Sequence, residues 1–213
     1  MSDPVGRVIE GESLYALLRV LTSPIVAITT SAQGQWNGMI ANSAQRASLV
    51  PSQPRVSVYI SKTNFSHDLV YRSGVFGLHL LRSDQWEVVR VLGLRSGREG
   101  AKLSEGTPVP EGTLAARRGV TECPLLADSW AALECRVVNA MDTGASTFFL
   151  GDVVHAEADA TTQPPMSSEH FRQHLPPELL QLYESRLVAA QAVLERLAGS
   201  IERAPWPGPV VMP

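Results

Sequence analysis

The sequence predicts a mainly β protein with a few helices: a closed or partly closed barrel with short peripheral helices and a helical C-terminal tail. Three observations carry that reading. Short β-branched runs recur from residue 24 to residue 158, separated by turn residues rather than by long helices. The hydrophobic period changes to helical spacing only near residue 180. Finally, a strand-rich unit of this length needs closure to hide its edges.

Length and composition set the frame. The chain has 213 residues, 44% hydrophobic and 18% charged, enough for one domain with an appendage and a core that needs no staple. A net charge of −3 argues against a nucleic-acid binder. No apolar run reaches the roughly 18 residues that span a membrane, and Met1–Glu10 has no apolar core, so no secretory signal is read there. Cys123 and Cys135 fit buried free thiols, and the expected location is the cytoplasm. Lys62 and Lys102 are the only lysines.

The elements follow in order. Leu14, Leu17, Leu18 and Leu21 place a helix over 11–22, ended by Pro24. Residues 24–30 are a strand, 31–36 a hairpin turn and 37–44 its return. Residues 55–61 alternate and give a half-buried strand. A short helix starts near Ser66, its candidate cap, and stops at Gly74. Phe76, Leu78 and Leu80 form a strand; Ser83 opens a second short helix closed by Gly93. Residues 93–123 lack periodicity and read as a long surface excursion. Strands 130–138 and 147–158 close the body around a turn at Met141–Ser146.

The domain unit is therefore 1–160. Residues 161–213 are an extension: a polar linker, Thr161–Ser168, then a helix after Pro176-Pro177. Leu180, Tyr183, Leu187, Ala190, Leu194, Leu197 and Ile201 form a heptad-like seam that packs on the barrel or on a dimer partner.

Common catalytic patterns are missing. There is no phosphate loop, dinucleotide fingerprint, His-Glu-x-x-His or Gly-x-Ser-x-Gly. His170 and His174 are spaced i, i+4 without a third ligand, so they read as solvated and no metal is expected. Two segments are unusual. Residues 37–48 are small and polar where the pattern predicts burial. Residues 61–67 (SKTNFSH) offer hydroxyls at Ser61, Thr63 and Ser66 and a charge at Lys62, leading into a helix N-terminus, a fit for a phosphate monoester. Ordinary polar turns are the alternative reading of both segments.

The order SPIVAITT, NGMIANSAQRASLVPSQP, RVSVYISKTNFSHDLV, GVFGLHLL resembles the flavin reductase-like family of FMN-binding split barrels, over about residues 14–158. The resemblance implies FMN, or FAD in its place. Ile40, Ala41, Asn42 and Ser43 would line the isoalloxazine or ribityl chain. Ser61, Lys62 and Thr63 would meet the ribityl chain and phosphate, and Ser66 and His67 would complete the phosphate site. Lys102 resembles a basic family position near the flavin; a solvated loop lysine is the alternative.

Three positions depart from the family pattern. Ile40 replaces a threonine, His79 replaces an asparagine, and Gly144-Ala145-Ser146 replaces Gly-Asp-His, whose histidine lies near the nicotinamide. Ser146 is thus the candidate substrate-pocket residue. The implied activity is hydride transfer from NAD(P)H to flavin, with no protein acid or base for that step. The rival is an FMN-binding carrier, electron relay or sensor without nicotinamide turnover. The sister split barrels that oxidise pyridoxamine phosphate or use a deazaflavin fit the segment order less well. A homodimer and a partner monooxygenase are the implied partners.

Overall fold

β1 (Val26–Ala32) is buried along its whole length, because both of its faces are covered. Val26 and Ile28 face one apolar cluster with Val58, Ile60, Phe76 and Phe149. Ile25 and Ala27 face a second, with Leu81, Val91, Leu92 and Met166. Alternation sends successive side chains to opposite sides, so one strand serves two cores. The computed structural model describes residues 21, 23–158 and 164–198. The expected helix over 11–22 lies almost wholly outside them, as do residues 159–163 and the end of the seam at Ile201.

β1 pairs with β2 (Gln35–Ala41) through a two-residue turn, Gln33-Gly34, with φ of +52° and +77°. β3 (Gln45–Arg46) and β4 (Arg55–Ser61) follow. The bounds of β4 are those its alternation predicts. α1 (Phe65–Ser73) ends at Gly74, whose φ of +66° is the left-handed conformation that favours glycine. The expected cap at Ser66 is corrected: Asn64 holds the cap position, and Ser66 is buried inside the first turn. β5 (Val75–Leu80) returns to the sheet. The second helix begins later than Ser83. It is one turn, α2 (Trp86–Val88), that continues as a π-helical turn over Val89–Gly93.

Residues 93–123 are not a featureless excursion. They carry β6 (Leu103–Glu105) and β7 (Leu114–Arg118), which join β8 (Pro124–Leu126) in a small sheet of order β6-β7-β8. Two long strands, β9 (Ala131–Asp142) and β10 (Ser146–Ala158), complete the large sheet, whose order is β2-β1-β5-β9-β10-β4-β3. Its end strands, β2 and β3, are neighbours in sequence but not hydrogen-bonded, so the barrel is split there. At Gly151, where the β9–β10 register shifts, a Cβ would sit 2.8 Å from the Phe76 ring, so only glycine fits without movement.

After residue 163 the chain is no free linker. Met166 is fully buried, and its N–H donates to Leu81 O at 2.7 Å. A helix absent from the sequence reading, α3 (Ser168–His174), packs Phe171 against Trp86. The solvated reading fits His174, which is exposed, but not His170, which is half-buried with Nε2 3.0 Å from Ser83 O. The rings stack at 4.3 Å, and His170 stacks on Trp86. α4 (Pro177–Ala198) buries Leu179, half-buries Tyr183, Leu187, Ala190 and Leu194, and exposes Val188 and Val193.

Cys123 and Cys135 are buried free thiols, as expected. Burial pushes the Cys123 thiol up to about 11 and raises Cys135 further.

Candidate functional site

The split in the barrel opens a cleft of about 680 Å³, within the range of small-molecule sites. Ile40, Ala41, Asn42 and Ser43, where β2 runs off the sheet edge, line one wall. Ser43 Oγ donates to Tyr59 O at 2.8 Å, which fixes this stretch to β4. Tyr59 and Phe148, paired across β4 and β10, present their rings to the cleft and meet edge to face at 5.0 Å. Val89, Gly93 and Leu94 of the π-helical turn add an apolar side, and Phe171, Arg172 and Tyr183 come over from α3 and α4.

The hydroxyl and basic segment lies beyond this cleft, at the far end of β4. Ser61 Oγ and Thr63 Oγ1 are 2.8 Å apart. Lys62 Nζ donates to both carboxylate oxygens of Asp142 at 2.7 and 2.8 Å. That bond holds the Asp142 carboxyl below its ordinary value. Arg98, which the sequence reading did not single out, reaches the same place. It donates to Thr63 O at 2.9 Å and to Asp68 at 3.1 Å, with its guanidinium over the Phe65 ring. The start of α1 is thus flanked by two cations and two hydroxyls.

Ser66 and His67 face inward. Ser66 Oγ accepts from Asn37 Nδ2 at 2.9 Å. His67 is buried, with Nε2 2.8 Å from Thr147 Oγ1 and its ring stacked on Tyr71. Both support the first turn of α1 from beneath. Ser146 sits opposite Ser61 in the β4–β10 ladder, and the adjoining loop is bonded to the same place through Lys62 N–H and Ala145 O, 3.0 Å apart.

Lys102 is only 3% exposed, and its ammonium donates to Gly38 O and Leu92 O at 2.9 and 2.8 Å. It is therefore not a solvated loop lysine. It ties β2 to the π-helical turn, the two walls that meet at Ile40 and Gly93. Burial lowers its pKa to about 8.

Two features suit a planar ring with a phosphorylated tail. The cleft combines apolar and aromatic walls with backbone polar groups at 41–43, while hydroxyls, cations and a helix N-terminus collect at one end. Among the described residues no group of three His, Cys, Asp or Glu side chains can hold a metal, and no helix is long and apolar enough to cross a membrane.

Comparison with known proteins gives concordant results. The family model of the flavin reductase-like domain matches residues 18–177. A ferric-chelate reductase (NAD(P)H) of Archaeoglobus fulgidus is 30% identical over 132 residues, 61% of this chain and 72% of that protein. The reductase component of an FADH2-dependent resorcinol hydroxylase from Rhizobium is 27% identical, over 72% of this chain and 81% of that one. An uncharacterized protein of Aeropyrum pernix is 34% identical over 65% of this chain, which spans about half (51%) of its length. Among solved structures, the NADH:FAD oxidoreductase of Streptomyces globisporus shares the fold, with a TM-score of 0.60 at 23% identity over 77% of this chain and 93% of that chain.

Proposed function

The chain belongs to the flavin reductase-like family, and from that premise we propose that it is a flavin-dependent oxidoreductase that takes hydride from NAD(P)H onto FMN held in the split-barrel cleft. One observation carries the reading: the Ile40–Ser43 segment, identified by resemblance with the flavin ring, lines a cleft closed by aromatic and apolar side chains. FAD is the alternative flavin.

When bound, flavin supplies the hydride-accepting chemistry. The chain's own part is binding and exclusion of water. Backbone groups at Ala41–Ser43 orient the ring edge, and Ile40, Val89 and Phe148 keep its surroundings apolar. Ser61, Thr63 and Lys62 take the phosphate, with Arg98 adding charge. Lys62 must share its ammonium between that phosphate and Asp142. Ser66 and His67 act through packing, holding the α1 terminus in place. No side chain is assigned as acid or base for hydride transfer.

Around that core stand the coarser expectations. The barrel unit runs to about residue 160 and the rest is its extension. The protein acts as a homodimer in the cytoplasm, and reduced flavin passes to a partner monooxygenase or another acceptor. The named reductase component from Rhizobium supports the monooxygenase case.

A second reading is favoured by Ser146, which stands where the family carries histidine: a flavin carrier, relay or sensor that does not turn over nicotinamide. One experiment separates the two. The protein is loaded with FMN, desalted, and its visible spectrum followed anaerobically with NADH and then NADPH. Retained flavin bands that bleach with a nicotinamide are the expected result. Retention without bleaching selects the carrier reading, and bleaching no faster than free flavin overturns the reductase.

A further inference from the structure

Arg172 is the one charged side chain lining the cleft among the described residues, and it comes from α3 rather than from the barrel. It makes no hydrogen bond or ion pair among the described residues; Glu169, one turn earlier, is bonded to Gln173 instead. The backbone that carries it is firmly placed. Ser168 Oγ donates to Ser23 O, Ile25 N–H donates to Met166 O at 2.9 Å, and Phe171 packs on Trp86 and Tyr183. Arg172 is exposed at the mouth of the cleft, and its guanidinium, with no partner among the described residues, shares the lining with Tyr59, Phe148, Phe171 and Tyr183. It is a good receptor for an anion attached to a flat ring.

The proposed phosphate end cannot supply that anion. α3 is bonded to residues 23–25, beside the Ala41 end of β2, where Val26 pairs with Ala41. Ser61 and Thr63 lie at the other end of β4. From Ser57, which lines the cleft, to Ser61 is four strand residues, about 13 Å. A ligand with a single phosphate at Ser61–Thr63 leaves Arg172 unmatched. A dinucleotide, with two phosphoryl groups in the middle of its length, does not.

We propose that Arg172 binds the pyrophosphate of a dinucleotide entering the cleft, and so sets the preference for dinucleotide over mononucleotide ligands. This rests on the flavin reading of the cleft, and deepens it. The pyrophosphate is that of the pyridine nucleotide, because FAD's own begins with the phosphate that Ser61 and Thr63 take.

The test compares the full-length wild type with Arg172→Gln by calorimetry, using three probes: ADP-ribose, FMN and FAD. ADP-ribose carries the pyrophosphate of a pyridine nucleotide but no redox centre, so its binding is read without turnover. We expect Arg172→Gln to weaken ADP-ribose about tenfold with FMN unchanged, the scale of one charged hydrogen bond. A tenfold loss confined to FAD overturns the proposal, because it puts Arg172 at the flavin's own phosphate end. Equal affinity of both proteins for ADP-ribose and FAD overturns the proposal, as does a loss of FMN affinity equal to the others. So does a wild type that binds no ADP-ribose. Failure of the flavin reading shows differently: neither protein binds FMN or FAD, while ADP-ribose still reports on Arg172.

Discussion

His79 stands where the resemblance places an asparagine, and its surroundings decide what it does. The ring is fully buried, with Nε2 3.1 Å from Thr29 Oγ1. That hydroxyl gives its proton to Pro124 O at 2.6 Å, so Nε2 must carry the ring's hydrogen and donate it. Burial lowers the pKa from 6.5 to about 4. The unfolded chain therefore binds a proton that the folded chain refuses between those values. The contribution of His79 is whole above pH 6.5 and is lost as the pH drops toward 4, by about 3 kcal/mol. His79→Asn should flatten that limb in urea unfolding measured at each pH; an unchanged slope would assign the loss to carboxylates instead.

Lys102 behaves in the mirrored alkaline window. The folded protein releases its proton near pH 8, while the unfolded lysine holds its own to 10.5, so stability rises between the two. The reason is visible in the bonds. A neutral amine has two N–H groups for two carbonyls, whereas the ammonium carries a third with no bond among the described residues. Lys102→Met should remove the alkaline rise and cost about 1–3 kcal/mol at pH 7, because Gly38 O and Leu92 O lose their donor. It should also weaken FMN, since Ile40 and Gly93 are no longer held together. Fluorescence titration reads the affinity.

At the scale of elements, β10 and α4 invite separate tests. In β10, Gly151→Ala drives a methyl group against Phe76 and Cys135, and should destabilise by about 1–3 kcal/mol in thermal or urea melts. α4 shows a half-buried row at Tyr183, Leu187, Ala190 and Leu194, more apolar surface than its own barrel covers. A chain ended after Arg186 keeps Phe171 and Tyr183 against the barrel but loses most of that row. If the row crosses to a second subunit, sedimentation should show the shortened protein dissociating at low micromolar concentration. A dimer as tight as the parent assigns the interface elsewhere.

Across the whole molecule, what was legible in the sequence follows the range of the interactions involved. β4 and Gly74 are read from a few consecutive residues, because alternation and a left-handed stop are local properties. The Ser66 cap is misread because its hydroxyl is claimed by Asn37, 29 residues away. β6 and β7 pair in parallel over three residues each, too short to leave a period. α3 is held by Met166 and Phe171 against a surface made by Ala27 of β1, Leu81 and the α2 turn, and nothing in its own polar sequence announces that surface. The cleft divides in the same way. Ile40–Ser43 is legible through resemblance, whereas Arg172, Arg98 and Phe148 arrive by tertiary packing. The two thiols bring a practical consequence for an enzyme of this kind. Reduced flavin meeting oxygen generates hydrogen peroxide, which attacks thiolates, and Cys123 and Cys135 are both buried and kept protonated. The protein should tolerate its own by-product through many aerobic turnovers without added reductant, and an engineered surface cysteine should be the sole site labelled by a maleimide dye.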